Sequence, residues 1–320
     1  MSQTDNETAR GLDIARAYYK EYGEPMLREK FPGVFDKLAV GLCGPGSECF
    51  GFDDGVSRDH DFEPGFCIFV PGEDVIDRRT LFELEREYSR LPREFMGLKR
   101  TPLKPVGGAR HGVIPTADFY SARVGRPDGA LSLEEWLSLP EYSLAEAVNG
   151  EIFRDPYGEF TRIRERVSRY PEDVRRKKLA GRLLLCAQSG LYNYPRCIAH
   201  GESAAAQTAI FEFADNAQAA VFLLNGVYRP YYKWSYRAMR GLPRLSRLSE
   251  TLEFLITTDN SPDAAEIKSA AVEDICRLIS DAVAACGIAP ADNELERLAY
   301  AVNGAVCDHG LRNMHVLAGV

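Results

Sequence analysis

Two kinds of hydrophobic periodicity alternate along the first half of the chain. Apolar positions at 12, 14, 15, 17, 18 and 19 recur with helical spacing, so a helix is predicted over residues 7–22. Two short apolar runs, residues 37–44 and 65–72, predict buried strands, and the second is closed by a Pro-Gly turn. Residues 78–91 combine charge with a helical apolar stripe, which predicts an amphipathic helix.

The stretch from residue 107 to residue 160 has shorter and weaker signals. Residues 107–119 predict a third strand broken by Pro115, with a helix starting at Thr116 or Asp118. Residues 131–140 and 143–150 predict short helices, each with a serine placed to act as its N-cap. Residues 151–160 read as a turn-rich connector.

Helical periodicity dominates from about residue 160 onward, and no repeat of fixed length appears. The long helical segments predicted there are 173–196, 203–228, 248–258 and 264–286. The whole pattern predicts an α+β protein. A mixed N-terminal domain with a small sheet would cover residues 1–160, and an α-helical bundle would cover residues 161–320.

Composition narrows the class of protein. The 320 residues contain 39 Lys and Arg against 47 Asp and Glu, a net charge of −8, which argues against a dedicated nucleic-acid-binding protein. No apolar run approaches the roughly 18 residues needed to span a bilayer, and the first residues do not form a secretory signal. The eight cysteines form no Cys-x-x-Cys pair. We therefore expect a cytoplasmic protein with reduced thiols and no membrane partner.

The most informative stretch is residues 46–66, GSECFGFDDGVSRDHDFEPGF, which lies between the two predicted strands. If Asp59 and Asp61 begin the second strand, their side chains share one face and His60 points to the other. Two neighbouring carboxylates repel each other, and a bound cation relieves that repulsion. A pair of hard oxygen ligands suits Mg²⁺, which usually binds one or two carboxylates and substrate phosphates.

Gly46 and Ser47 directly follow the first predicted strand. Glycine lets the backbone approach a ligand closely, and backbone N–H groups with the Ser47 hydroxyl form an anion site of phosphate size. A phosphate site after the first predicted strand and a metal site at the start of the second predict metal-assisted nucleotidyl transfer. The competing interpretation is a polar hairpin loop with solvent-facing acids, since an isolated D-x-D is weak evidence. Asp53 and Asp54, followed by glycine, are interpreted as turn formers.

These residues resemble the signature of the DNA polymerase beta-like nucleotidyltransferase superfamily, which includes minimal and aminoglycoside nucleotidyltransferases. Most of residues 10–315 resemble, more closely, an uncharacterised bacterial family assigned to that superfamily. The resemblance implies that Gly46 and Ser47 hold the phosphates of an NTP substrate, and that Asp59 and Asp61 bind Mg²⁺ or Mn²⁺. The matching stretches are GSECFGFDDGVSRDHDFEPGF, GEIFRDPYGEFTRIR, AQSGLYNYPR and FLLNGVYRPYYKW.

The resemblance also implies a third catalytic acid on a later strand. Asp118 is the nearest candidate in chain order, with Glu151 and Asp155 as alternatives. The sequence departs from the common pattern, because residues 57–61 read Ser-Arg-Asp-His-Asp, one residue longer and with a histidine in place of an aliphatic residue. Without a third carboxylate, metal binding would persist while proton abstraction from an acceptor hydroxyl would fail.

Lys233 could contact a triphosphate, because lysine is a mobile point charge that often binds phosphate. A solvated lysine among packing tyrosines explains the same residue equally well. The neighbouring aromatic residues could stack on a base, although aromatics at this spacing more often belong to a core. They are Tyr228, Tyr231, Tyr232 and Trp234.

Three functions remain open from the sequence. The first is transfer of an NMP group from an NTP to an unidentified small-molecule or protein acceptor. The second is a non-catalytic nucleotide-binding regulatory protein that kept the site and lost the third acid. The third is a partner-binding protein of the toxin–antitoxin type whose N-terminal fold is vestigial.

Overall fold

The computed structural model describes residues 10–54, 63–100 and 110–320. The chain divides into two compact units. The first contains Met1–Ala130 and Ser143–Ser168, and the second contains Leu131–Tyr142 and Arg169–Val320. The predicted α+β class, with a small mixed sheet and a helical C-terminal region, is confirmed.

A four-stranded mixed sheet forms the centre of the first unit, with strand order β5-β2-β1-β6. Strand β1 runs antiparallel to β2 and β6, whereas β2 runs parallel to β5. Strands β3 and β4 form a separate antiparallel pair. The strands are β1 (Ala39–Leu42), β2 (Cys67–Val70), β3 (Glu94–Phe95), β4 (Leu98–Lys99), β5 (Gly112–Pro115) and β6 (Glu151–Arg154).

This strand order brings four chain segments to one end of the sheet. Gly41 lies opposite Cys67, and Cys67 lies opposite Gly112. Leu42 lies opposite Glu151. The last residues of β1 therefore meet the first residues of β2, β5 and β6, and we call this end the turn end of the sheet.

Helices flank the sheet in the first unit and form nearly all of the second. The helices are α1 (Gly11–Tyr18), α2 (Glu24–Lys30), α3 (Arg78–Ser89), α4 (Thr116–Val124), α5 (Leu133–Ser138), α6 (Glu141–Val148), α7 (Glu159–Arg166), α8 (Glu172–Cys186), α9 (Tyr194–Ala199), α10 (Ser203–Asn225), α11 (Tyr232–Arg240), α12 (Leu248–Thr257), α13 (Pro262–Ala285), α14 (Leu295–Gly304) and α15 (His309–Asn313). Single π-helical turns join α1 to α2 and α8 to α9, at Tyr19–Gly23 and Ala187–Asn193.

The alternation of side chains gives the central sheet two buried faces. Val40 and Ile68 contribute to a core that includes residues of α1, α2 and α3. On the opposite face, Phe69 packs against Phe119 of α4 and Phe160 of α7, with ring centroids 5.1 and 4.2 Å apart. Burial on both faces explains why β1 and β2 read as short continuous apolar runs.

The core of the second unit surrounds α10, whose inward-facing residues are almost completely buried. Residues of α8, α12 and α13 pack against it, and residues of α14 pack against α8, in one hydrophobic cluster. No helix in the part of the chain that the structure describes is both long and apolar enough to cross a membrane.

Three local predictions need correction. Residues 151–154 of the predicted connector form the edge strand β6, because the strong turn signals of the following Asp-Pro-Tyr-Gly obscured four residues of strand. Ser132 caps α5 in a capping box, as predicted, whereas Ser143 lies inside α6 and caps nothing. The helix predicted over 173–196 continues past Pro195, because the preceding π-turn places that proline in the first turn of α9.

Candidate functional site at the turn end of the sheet

The predicted Gly46-Ser47 pair forms a tight turn directly after β1. Gly46 has φ +134°, and a Cβ there would collide with the Arg110 guanidinium and lie 2.7 Å from the Glu48 carboxylate. The Ser47 carbonyl accepts hydrogen bonds from the N–H groups of Phe50 and Phe52 at 3.1 and 2.8 Å. No described residue accepts a hydrogen bond from the N–H or the hydroxyl of Ser47. The turn therefore needs glycine and presents unpaired donors.

Asn149 and Gly150 hold this turn in place. The Asn149 amide donates to the Gly44 carbonyl and accepts from the Gly44 N–H, both at 2.8 Å. The Gly150 N–H donates to the Cys49 carbonyl at 2.8 Å. Gly150 has φ +68°, and a Cβ there would strike the Leu42 carbonyl. Sequence reasoning missed this pair, although an Asn-Gly dipeptide before a short strand is a turn signal.

Arg164 of α7 fixes the segment that carries Asn149. Its Nε donates to the Val148 carbonyl at 3.1 Å, and its Nη2 donates to the carbonyls of Asn149 and Gly150 at 2.7 and 3.2 Å. One guanidinium thus satisfies three successive carbonyl groups at the end of α6. The geometry of the turn end depends on this side chain as well as on the glycines.

Two arginines that the sequence analysis did not select lie beside the turn. Arg110 forms an ion pair with the buried Glu48. Arg123, in the last turn of α4, reaches within 2.5 Å of the position that a Cβ on Gly44 would occupy.

The Arg123 guanidinium is rigidly placed and incompletely paired. It lies 3.9 Å over the Phe119 ring, and its Nη1 donates to the Phe119 carbonyl at 3.1 Å. Its Nε is buried with no hydrogen-bond partner, and no carboxylate of the described residues lies within ion-pair distance. Burial lowers the pKa of Arg123, while the more distant Glu146 opposes that shift. An unneutralised cation beside a donor-rich turn favours an anionic ligand.

The carboxylates at the turn end are paired with cations or a histidine. Glu63 lies 3.3 Å from the Nδ1 atom of His111. Glu151 forms an ion pair with Arg16, whose Nε is 3.1 Å from its Oε1 atom. Glu151 is the main cause of the raised pKa of Arg16.

The predicted metal ligands Asp59 and Asp61 lie outside the described residues. The described chain resumes at Glu63, two residues after Asp61 in sequence, and leads directly into β2 at the turn end. Within the described residues, no group of three or more His, Cys, Asp or Glu side chains is arranged to hold a metal ion.

The structure does not bring Asp118 together with Gly46 and Ser47. Asp118 is exposed in the first turn of α4, which follows the end of β5 opposite the turn end. Of the alternatives, Glu151 lies at the turn end. Asp155 follows the other end of β6, where its carboxylate accepts hydrogen bonds from the N–H groups of Gly158 and Thr161 at 2.9 and 2.8 Å.

Lys233 belongs to the second unit, where it is exposed in the first turn of α11 with its Nζ 5.1 Å from the Trp234 ring centroid. Its aromatic neighbours differ in burial. Tyr228 is buried, as core packing requires, whereas Tyr231 and Tyr232 are 48% and 75% exposed. The packing interpretation therefore fails for these two tyrosines.

Cysteine chemistry is not favoured at the turn end. Burial raises the pKa of Cys43 to about 11 and that of Cys67 to about 12. Both thiols are therefore protonated at neutral pH, and a nucleophilic cysteine needs the thiolate.

Comparison with known families gives one match. The model of a domain of unknown function, DUF4037, matches residues 136–235. No curated protein and no solved structure matches the chain significantly. The matched segment begins in α5 and ends in α11, and it includes β6 with its Glu151.

Proposed function

We propose that this protein is a metal-dependent nucleotidyltransferase that moves an NMP group from an NTP to an unidentified small-molecule or protein acceptor. The observation that carries the proposal is the Gly46-Ser47 turn. It combines an obligatory glycine, unpaired donors on Ser47 and the incompletely paired Arg123 at the end of a buried strand. A triphosphate supplies the negative charge that this arrangement lacks.

Arg123 extends the phosphate site beyond the residues that the sequence suggested. Stacking on Phe119 fixes the plane of its guanidinium, so little side-chain entropy is lost when an anion binds. Glu48, which follows Ser47 in the turn, is neutralised by Arg110, and Glu146 is the carboxylate whose charge acts on Arg123 from beyond ion-pair distance. In this proposal Ser47 and Arg123 contact phosphate oxygens, and Gly46 allows the backbone to approach them.

Asp59 and Asp61 would hold Mg²⁺ or Mn²⁺ in this proposal. The chemistry of the donor set supports this assignment, because two aspartates one residue apart in sequence offer the hard oxygen ligands that Mg²⁺ prefers. When bound, the metal neutralises phosphate charge and orients the triphosphate.

Glu151 is the better supported of the candidates for the third acid. It is the one that lies at the turn end, next to the last residue of β1. It forms an ion pair with Arg16, so it would have to exchange that partner to accept a proton from the acceptor hydroxyl.

A regulatory nucleotide-binding protein is the second candidate, and the same ion pairs favour it. Glu48, Glu63 and Glu151 are each engaged with a cation or a histidine. If these partners do not exchange, the site binds nucleotide and lacks a base. This protein would bind NTP with metal and release no pyrophosphate with any acceptor.

Label transfer from α-³²P-labelled NTPs to components of a cell extract tests the proposal. The wild type should label an acceptor and release pyrophosphate, and Asp61→Asn should abolish both. The control is Asp281→Asn, an exposed carboxylate on α13, which should keep full activity. Full activity of Asp61→Asn would contradict the proposal. Loss in Glu151→Gln with retention in Asp118→Asn would identify the third acid.

A further inference from the structure

The second unit contains a cavity of about 300 Å³. Every residue that lines it belongs to the second unit and falls between Pro140 and Tyr232. The whole lining therefore lies within the segment matched by the DUF4037 model. A volume of this size is at the lower end of the range for small-molecule sites.

The lining residue of most interest is Glu141, whose carboxylate is buried. It is 8% exposed, and neither of its carboxylate oxygens accepts a hydrogen bond from the described residues. The nearest cationic atoms are Arg229 Nε at 3.6 Å and Arg182 Nη2 at 3.9 Å, both beyond hydrogen-bond distance. The two carboxylate oxygens of Glu141 are therefore strong acceptors without donors in this lining. A buried carboxylate without hydrogen bonds is energetically costly, so a ligand that supplies donors would be stabilised here.

The two arginines direct their hydrogen bonds to other groups. Arg229 Nη1 donates to the Asp215 carboxylate at 2.7 Å, and Arg182 Nη1 donates to Asn216 Oδ1 at 2.9 Å. Arg182 Nε is buried without a partner. The lining thus holds two cations and two carboxylates whose charges cancel, and this disfavours a ligand with a large net charge of either sign.

Exposed aromatic rings border the same cavity. Tyr142, Tyr231 and Tyr232 are 43%, 48% and 75% exposed. The centroids of Tyr231 and Tyr232 are 4.4 Å apart, and Tyr142 meets Tyr231 edge-on at 5.8 Å. A cluster of exposed rings beside a cavity is suited to stacking on a flat ligand.

We propose that this cavity binds a neutral planar heterocycle that presents a ring N–H and an amino group side by side, as guanine and pterins do. The two donors would satisfy the two oxygens of Glu141, and the adjacent ring carbonyl would accept from Arg182 or Arg229. The tyrosines would cover the ring face. Adenine and cytosine have a ring-nitrogen acceptor beside their amino group, so they would leave a Glu141 oxygen unpaired.

Calorimetric titration without metal separates these ligands, using guanosine, neopterin and adenosine as probes. Guanosine or neopterin should bind roughly tenfold or more tightly than adenosine, because adenosine lacks one charge-assisted hydrogen bond. Whichever of guanosine and neopterin binds more tightly identifies the ring as a purine or a pterin. Equal affinity for adenosine, or no binding of guanosine and neopterin, would overturn the proposal. These probes carry no phosphate, so the result does not depend on nucleotidyl transfer.

Two variants test the residues. Glu141→Gln should weaken binding of the preferred probe roughly tenfold, because one acceptor becomes a donor. Tyr232→Ala should also weaken it roughly fivefold or more through lost stacking, and its exposed position leaves folding intact. Tyr300→Ala, at an exposed tyrosine on α14 that does not line the cavity, is the control. If Tyr232→Ala binds as tightly as Tyr300→Ala, the proposal is wrong, whether or not Glu141→Gln folds.

Discussion

At the scale of single residues, the geometry of the candidate site depends most on Gly46. The sequence predicted a turn at this position because glycine and serine follow a buried strand. The residues that support it, Arg123 and Asn149, come from distant parts of the chain, and only the tertiary structure brings them to the turn. Local pattern therefore predicted the turn and could not predict its neighbours.

Replacing Gly46 by alanine should destabilise the protein by about 2–3 kcal/mol, because the positive φ strains an L-residue and the new Cβ collides with Arg110. Urea denaturation measures this change. Gly51→Ala is the matched control, since Gly51 also has a positive φ, +69°, but has open space around it. It should cost about 1 kcal/mol. Equal costs for the two variants would show that neither the φ of +134° nor the crowding makes glycine more necessary at Gly46 than at Gly51.

The basic run at residues 175–178 shows that charge along the sequence does not by itself predict exposure. A run of charge at the start of a helix usually faces solvent, yet Lys177 and Lys178 are buried. The Lys178 ammonium donates to the Gly319 carbonyl at 2.8 Å, and Lys177 donates to Asn303 and to the Met314 carbonyl. The pattern of charges alone does not show that the chain beyond residue 303 packs against α8.

Lys178 should make the free energy of unfolding depend on pH in the alkaline range. Burial lowers its pKa to about 8, against the usual lysine value in the unfolded chain. Above pH 8 the unfolded state binds more protons than the native state, so the free energy of unfolding rises with pH up to about pH 10. Relative to Lys178→Met, the wild type should gain at most about 1.4 kcal/mol per pH unit in this window. A difference that is independent of pH would contradict the burial of this charge.

At the scale of elements, β6 shows what sequence periodicity can and cannot provide. Strands β1 and β2 were predictable because burial on both faces makes them continuous apolar runs. Strand β6 is a half-buried edge strand of four residues, too short to establish a period against the turn residues that follow. Its position beside β1 nevertheless places Glu151 and Asn149 at the turn end.

Arg164→Met should destabilise the turn end of the sheet. The substitution removes charge-assisted hydrogen bonds to three carbonyl groups, and we expect the free energy of unfolding to fall by about 2 kcal/mol. Hydrogen exchange should show faster opening of the amides at the start of β6. Arg162→Met, an exposed arginine on the same helix, should change neither quantity. If both variants behave alike, Arg164 does not fix the turn end.

At the scale of the whole molecule, the chain passes between the two units more than once. Residues 131–142 belong with the second unit although residues 143–168 belong with the first. In the second unit, Trp136 of α5 packs edge-on against Tyr170, with centroids 5.8 Å apart. The sequence predicted a mixed half and a helical half, since those depend on local periodicity. It did not reveal that residues 131–142 belong with the second unit, because that assignment depends on tertiary contacts.

A fragment of residues 169–320 should therefore be incomplete without residues 131–142. Adding a synthetic peptide of residues 131–142 should raise its melting temperature by several degrees, because the peptide restores the packing of Trp136. A peptide with Trp136→Ala is the control and should have a much smaller effect. If neither peptide changes the melting temperature, the segment does not belong to the second unit.

Calorimetry is the decisive test of the proposal that residues 46–61 form a nucleotide–metal site. The four NTPs would be titrated with and without Mg²⁺ into the wild type and Asp61→Asn. We predict binding that requires Mg²⁺ in the wild type and is lost in the variant. Binding that is unchanged by the substitution, or no binding in any combination, would contradict the claim.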